Sequence, residues 1–153
     1  MRDLIIMGTG IHSAEMAYMV SRINQIEVTW NLLGHIAPKP MAEREFIGQP
    51  ILGESDALAR HPNAWVIADN EFPKRFAMPE ERTATLVDPS AWVHPTVKIG
   101  VGSVIYPLCF VGARAVIGRR VYVLSGSAVN HDNVLEDGVV LASGVSLAGN
   151  VHV

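Results

Sequence analysis

Only one cysteine, Cys109, occurs in the 153 residues. An internal disulfide is therefore excluded, and a reducing compartment is the natural expectation. Charge of one sign is also scarce. The formal net charge is −3, which gives no electrostatic footprint for nucleic acid or an anionic membrane. No long hydrophobic run opens the chain: the stretch Leu4-Ile5-Ile6-Met7 is too short for a signal peptide or a membrane span. A soluble, cytoplasmic protein is expected. Metal-ligand spacing is missing as well. His12, His35, His61, His94 and His152 stand without cysteine or carboxylate partners at ligand spacing, so no metal site is expected. What is abundant is apolar residues, 49% against 18% charged, a balance that allows a packed core and argues against disorder. The length suits one domain or two very small ones.

The second half of the chain repeats with a period of six. From Val87 the steps fall on Val93, Ile99, Ile105, Val111, Ile117, Val123, Val129, Leu135, Leu141, Leu147 and Val153, every one aliphatic. With Leu, Ile and Val at roughly a third of the segment, chance agreement is on the order of one in 10⁵. A second track lies four residues after each aliphatic: Ala91, Val97, Ser103, Cys109, Ala115, Val121, Ser127, Asn133, Val139, Val145 and Val151, all small or β-branched except Asn133. Between the tracks stand turn-like pairs such as Pro89-Ser90, Val101-Gly102, Ser125-Gly126 and Asp137-Gly138. An amphipathic helix cannot produce this period. A short strand, a corner and another short strand can, with three hexads to a triangular coil and coils stacked about 4.8 Å apart. The repeat therefore predicts a parallel β-helix over 87–153, with Cys109 in its core rather than as a reactive thiol.

The first 86 residues read as α/β. Strands are expected at Asp3–Met7, Val28–Leu33 and Ala64–Ala68. Helical spacing covers Ala14–Arg22, Ser55–Arg60 reads as a short helix with a plausible N-cap, and Pro73–Phe76 as another helical turn. Ala37–Gln49 reads as a loop. Alternating strand and helix suggests a small parallel sheet of Rossmann-like order.

Two constellations could carry chemistry. Gly8 and Gly10 follow a strand and precede a helix, the context in which bare amides can hold a phosphate; a simple tight turn is the plainer reading. Ser13 replaces the third glycine of the dinucleotide fingerprint, and Leu33-Gly34-His35-Ile36-Ala37 offers no acid for a ribose, so a nicotinamide-dependent oxidoreductase is disfavoured. The second constellation is Asn130-His131-Asp132 at a corner of the coil. There His131 projects outward, and an adjacent carboxylate can set its tautomer and basicity. One coil further, at the same corner, is Gly149, whose amide would lie about 5 Å away. A proton acceptor beside an oxyanion donor is the geometry of acyl transfer; a solvated corner His–Asp pair fits the residue types equally well.

These residues resemble a known family. Leu4 to Ala17, Pro50-Ile51-Leu52-Gly53, Ile67-Ala68-Asp69-Asn70, Leu86-Val87-Asp88-Pro89-Ser90-Ala91, Val129-Asn130-His131-Asp132-Asn133-Val134 and Leu147-Ala148-Gly149-Asn150-Val151 are similar to segments of the bacterial sugar O/N-acyltransferases. These are the hexapeptide-repeat transferases that include sialic acid O-acetyltransferase and UDP-N-acetylbacillosamine N-acetyltransferase. The resemblance implies a Rossmann-like nucleotide-sugar-binding domain over 1–84 and a left-handed β-helix acetyltransferase domain over 85–153, assembled as a homotrimer. It implies an acetyl-CoA:sugar N- or O-acetyltransferase of bacterial surface-glycan biosynthesis. His131 would be the general base, Asp132 its orienting partner and the Gly149 amide the oxyanion and acetyl-CoA contact. Gly8, Thr9, Gly10, His12, Asp69 and Asn70 would contact a sugar or nucleotide-sugar acceptor. The relatives carry further coils, so the β-helix is expected to be short at its C-terminal end. An alternative of another class is a trimeric sugar-nucleotide-binding module with an incomplete acetyl-CoA groove.

Overall fold

A computed structural model describes residues 1–73 and 76–153. The chain divides into two compact units, Met1–Ala84 and Thr85–Val153.

The first unit is built on a five-stranded sheet. Its elements are β1 (Arg2–Met7), α1 (Ile11–Ile26), β2 (Trp30–Ile36), β3 (Glu45–Phe46), β4 (Gln49–Gly53) and β5 (Trp65–Ala68), in the sheet order β3-β4-β2-β1-β5. β4, β2, β1 and β5 run parallel, and β3 pairs antiparallel with β4. β1 lies between β2 and β5, and Leu4 to Met7 are fully buried. Ile5 and Met7 join Ile36, Val66, Ala68 and Phe72 in one cluster; a strand buried on both faces reads as a continuous apolar run. α1 buries Ser13, Met16, Met19 and Val20, the spacing of one helical face.

Several boundaries differ from the sequence reading. α1 begins at Ile11 instead of Ala14 and runs to Ile26 instead of Arg22. Its N-cap is Gly10, without a side-chain cap bond, so no Ser, Thr, Asp or Asn marks the start. The expected loop 37–49 contains β3 and the first residue of β4, paired through the hairpin turn at Ile47-Gly48, where both residues have positive φ. The second strand lies two residues later than expected at its start, at Trp30. Ser55–Arg60 is a 3₁₀ turn whose cap position is Glu54, again with no side-chain cap bond. The helical turn expected at 73–76 falls on 74–75, outside the described residues.

The second unit consists, among its described residues, of eleven two-residue strands in three parallel stacks. One stack holds Trp92–Val93, Phe110–Val111, Ala128–Val129 and Ser146–Leu147, each strand eighteen residues from the next. The others step likewise through Lys98–Ile99, Val116–Ile117 and Val134–Leu135, and through Leu86–Val87 to Val140–Leu141. Short parallel strands in stacked sheets of this kind fit a left-handed β-helix. The repeat track points inward as expected: Ile105, Val111, Ile117, Val123, Val129, Leu135 and Leu141 are buried, while Val87, Val93, Ile99 and Leu147 are half-buried and Val153 is exposed.

The small track is also inward, and its polar members have a reason to be there. Ser103 donates to the Gly118 carbonyl (2.8 Å) and accepts from the Val121 amide (3.0 Å). Ser127 donates to the Ala142 carbonyl (2.9 Å), and Asn133 Oδ1 accepts the Val151 amide (2.6 Å). Buried polar groups thereby tie one coil to the next, as a dry interior demands. Cys109 is buried, its thiol reaches the Leu124 carbonyl (3.3 Å), and burial pushes its pKa up.

The third corner position recurs every six residues with a left-handed backbone. Gly102, Leu108, Arg114, Arg120, Gly126, Asp132, Gly138, Gly144 and Asn150 all have positive φ. Glycine, Asn and Asp adopt it readily; Leu and Arg do so against a steric penalty.

Candidate active site

Polar residues gather at one place in each unit. In the first unit the place is the carboxyl end of the parallel strands. The chain passes from β1 to β2 on one side and later sets β5 on the other side of β1. β1 therefore stands where the strand order reverses, the edge at which open parallel sheets receive ligands. Gly8 ends β1 with φ +141° and donates its amide to the Ile36 carbonyl (2.8 Å). A Cβ on Gly8 would collide with the Asp69 carboxylate and the Ser13 hydroxyl, so only glycine fits.

Asp69 follows β5, is buried, and donates its amide to the Met7 carbonyl (3.0 Å). Its carboxylate accepts a short bond from the Ser13 hydroxyl and another from the Glu71 amide (3.0 Å). From the other side the fully buried His35 faces the Gly8 carbonyl through Nδ1 (2.9 Å). A carbonyl only accepts, so Nδ1 carries the proton. Burial holds the His35 pKa below its ordinary value, against the Gly8 carbonyl and the Asp69 charge, which both act to raise it. Nε2 of His35 and Oδ1 of Asn70 are buried without a partner among the described residues.

The other expected contacts spread out. Gly10 lies under Glu71, whose Oε2 would be 3.2 Å from a Cβ there. Thr9 Oγ1 turns to the Met41 sulfur (3.3 Å), and His12 Nδ1 faces Glu15 (3.2 Å). The structure therefore joins Gly8 and Asp69 directly and leaves Thr9 and His12 with other neighbours. Two carboxylates, Asp69 and Glu71, overlook the glycine loop. They suit a hydroxyl or ammonium donor better than a phosphate.

A cavity of about 260 Å³ adjoins the same strand ends, lined by Ala37, Pro38, Glu54, Ser55, Phe72, Pro73 and Phe76. Phe72 and Phe76 meet edge to face there, with ring centroids 5.8 Å apart. Sequence reasoning missed this cavity and the Ser13–Asp69 and His35–Gly8 pairs. Ser13 and Asp69 are 56 residues apart, and only the strand order brings them together.

In the second unit the place is the corner that carries His131. Successive coils stack Pro95, Ala113, His131 and Gly149 in one column, and Thr96, Arg114, Asp132 and Asn150 in the next. Asn150 donates its amide to the His131 carbonyl (3.1 Å), and Asn130 Nδ2 donates to the Leu147 carbonyl (2.6 Å). The imidazole has small neighbours above and below, Gly149 and Ala113, and its side chain is 58% exposed. A Cβ on Gly149 would stand 2.6 Å from Cε1 and Nε2 of the ring, so the missing side chain is what makes room for the imidazole. No backbone bond within the described residues takes up the Gly149 amide.

His131 Nδ1 meets Asp132 Oδ2 at 2.7 Å. Arg114 adds a fork: Nε donates to Asp132 Oδ1 (2.6 Å) and Nη2 to Oδ2 (2.7 Å). Arg114 first and His131 second hold the Asp132 carboxyl at about 2. An ionised carboxylate accepts only, so the proton sits on Nδ1 of His131 and Nε2 is left bare toward Gly149. A bare imidazole nitrogen can take a proton from an amine or hydroxyl nucleophile. Among the described residues no three His, Cys, Asp or Glu side chains come together as a metal cluster.

No protein-family model matches the chain, and no curated protein matches it. Solved structures do. One is the acetyltransferase domain of PglB from Neisseria gonorrhoeae FA1090 in complex with acetyl coenzyme A, with 22% identity and a TM-score of 0.83, covering 99% of this chain and 76% of that one. Another is a histidine-to-alanine mutant of GDP-perosamine N-acetyl transferase from Caulobacter crescentus in complex with CoA and GDP-perosamine, with 20% identity and a TM-score of 0.80, covering 98% of this chain and 73% of that one. The likeness shows a shared fold, in which the stacked parallel strands are those of a left-handed β-helix.

Proposed function

We propose that this chain is an acetyl-CoA-dependent acetyltransferase that acylates an amino or hydroxyl group of a nucleotide-linked sugar. The observation that carries the reading is the corner itself: a histidine whose tautomer is set by Asp132, with its free nitrogen against Gly149. Similarity of fold to two acetyltransferase structures, one with acetyl coenzyme A and one with CoA and GDP-perosamine, supports it.

The chemistry follows from the donors and acceptors present. Nε2 of His131 accepts the proton of the acceptor amine or hydroxyl as that atom bonds to the thioester carbonyl carbon. The Gly149 amide donates to the oxyanion that forms. Collapse breaks the C–S bond, and the CoA thiolate leaves and takes the proton from the His131 imidazolium, which returns the base to its neutral form. Asp132 remains ionised throughout and stabilises the imidazolium that His131 becomes. No metal is needed in these steps.

The first unit is read as a Rossmann-like acceptor-binding domain. Gly8, Thr9, Gly10 and His12 would bound the acceptor's sugar, with Asp69, Asn70 and Glu71 taking its hydroxyl or amino hydrogens. The Phe72–Phe76 cavity would take its base. A homotrimer is the expected assembly. Trp92 and Phe110 stack on one coil face at 4.8 Å while 53% and 39% exposed, an apolar surface suited to another copy. No described helix is long and apolar enough to cross a membrane, and the cytoplasm, where acetyl-CoA and sugar nucleotides meet, is the proposed site of action.

The test is thiol release from acetyl-CoA in the presence of a panel of UDP-, GDP-, dTDP- and CMP-linked amino sugars. Turnover with one of them is expected. Binding of such a sugar by calorimetry without any thiol release would favour a non-catalytic binding module instead. Light scattering at micromolar concentration checks the assembly, and a monomer mass counts against the trimer.

A further inference from the structure

The Asp132 carboxylate is held from two directions, and only one of the holders belongs to its own coil. Arg114 sits eighteen residues earlier, one coil below, in the same corner column. Its two bonds, 2.6 Å from Nε and 2.7 Å from Nη2, engage both carboxylate oxygens. A single contact would let the carboxylate rotate; a planar fork fixes its plane. Oδ2 is shared, receiving Arg114 Nη2 and His131 Nδ1 at 2.7 Å each. We propose that Arg114 is a positioning residue for the His131 base, its guanidinium fork holding Asp132 so that the imidazole proton stays on Nδ1 and Nε2 stays bare toward Gly149. This rests on the acetyltransferase reading for its chemical purpose, though not for its geometry.

Three features separate this role from ordinary surface packing. Arg114 has a left-handed backbone (φ +60°) at the hexad position that Gly102, Gly126, Gly138 and Gly144 fill at the other two corners. Its amide is pinned from the coil below by Thr96 Oγ1 (2.9 Å), which also meets His94 Nδ1 at 2.9 Å. Its side chain is 68% exposed, and an exposed ion pair contributes little to stability. What the pair does accomplish is local: the cation keeps Asp132 ionised beside the histidine, with both carboxylate oxygens engaged.

The experiment compares the full chain with Arg114→Met and Arg114→Lys. Long-range ¹H–¹⁵N correlation NMR of the His131 ring, above its titration midpoint, reads the tautomer directly. The wild type is expected to show the Nδ1–H form alone, and both variants a mixture, because lysine keeps the charge and loses the fork. In thiol release, kcat is expected to fall about tenfold in both variants with KM for acetyl-CoA unchanged within about twofold, the signature of a group that acts on the base and not on binding. A single Nδ1–H tautomer in Arg114→Met overturns the proposal, and so does full rescue of tautomer and kcat by Arg114→Lys, which would reduce the role to charge. If the wild type releases no thiol with any sugar, the acetyltransferase reading fails, while the NMR comparison still decides whether Arg114 positions His131.

Discussion

The His131 ring lies across Gly149 of the next coil, so close that a Cβ on Gly149 would fall 2.6 Å from its Cε1 and Nε2 atoms. Gly149 does not have a positive φ, so alanine is acceptable to its backbone and objectionable only to the imidazole. Gly149→Ala is expected to displace the ring and lower kcat by about 10²-fold, the scale of losing a positioned base. Its melting temperature should stay within about 4 °C of wild type. Thiol release and thermal denaturation check the two halves; an alanine variant with full kcat would remove Gly149 from the site.

His131→Ala removes the base without opening a core cavity, because the side chain is 58% exposed. Stability should change by less than about 0.5 kcal/mol, and kcat should fall by about 10²–10⁴-fold. Asp132→Asn should cost less, since asparagine can still orient a ring it no longer stabilises when charged. Full activity in His131→Ala would end the proposed mechanism.

His35 gives the protein an acid sensitivity of its own. Burial lowers its folded pKa, whereas the unfolded imidazole titrates at about 6.5. The unfolded chain therefore binds more protons as pH falls below that value, and stability declines with it. His35→Asn keeps a donor for the Gly8 carbonyl and does not titrate, so its stability should fall less between about pH 7 and pH 5. Urea midpoints at both pH values make the comparison, and the other histidines cancel. Equal declines in the two proteins would show that His35 titrates normally.

Gly8→Ala meets two obstacles at once, a φ of +141° and the Asp69–Ser13 pair in the space of the new methyl. It should cost about 3 kcal/mol or more. Ser13→Ala leaves an Asp69 oxygen buried without its donor, a loss of about 1–3 kcal/mol. Urea unfolding of both variants checks the order, and Gly8→Ala melting like wild type would contradict the packing described.

The β-helix was legible because its signal is one-dimensional. A residue faces inward or outward by its place in the hexad, and coils repeat without insertions from Val87 to Val153. The same arithmetic led one coil forward from His131 to Gly149. One coil backward from Asp132 stands Arg114, which residue type alone does not mark, since a surface arginine is ordinary until its fork is seen on Asp132. In the first unit the apolar strands were visible, and their partners were not. Ser13 reads as a failed glycine and is instead the donor to Asp69. His35 reads as a missing acid and is instead the support of Gly8. Both relations depend on strand order, which local pattern does not carry. The start of α1 was missed because Gly10 caps it with no side-chain bond.

The eighteen-residue step between stacked strands also sets what kinds of insertion and deletion this architecture can tolerate. Loss or gain of one whole coil returns every downstream residue to its own face, displaced by one strand spacing. A change of six or twelve residues keeps the aliphatics inside yet rotates all later corners by a third of a turn. Removing residues 97–114 would bring Thr96 beneath Asp132 in place of Arg114 and leave the His131–Gly149 pair untouched. Lineages that descend from such a chain can therefore lengthen, shorten or retune the surroundings of the base in whole-coil quanta while its contact with the glycine above it travels as an intact unit.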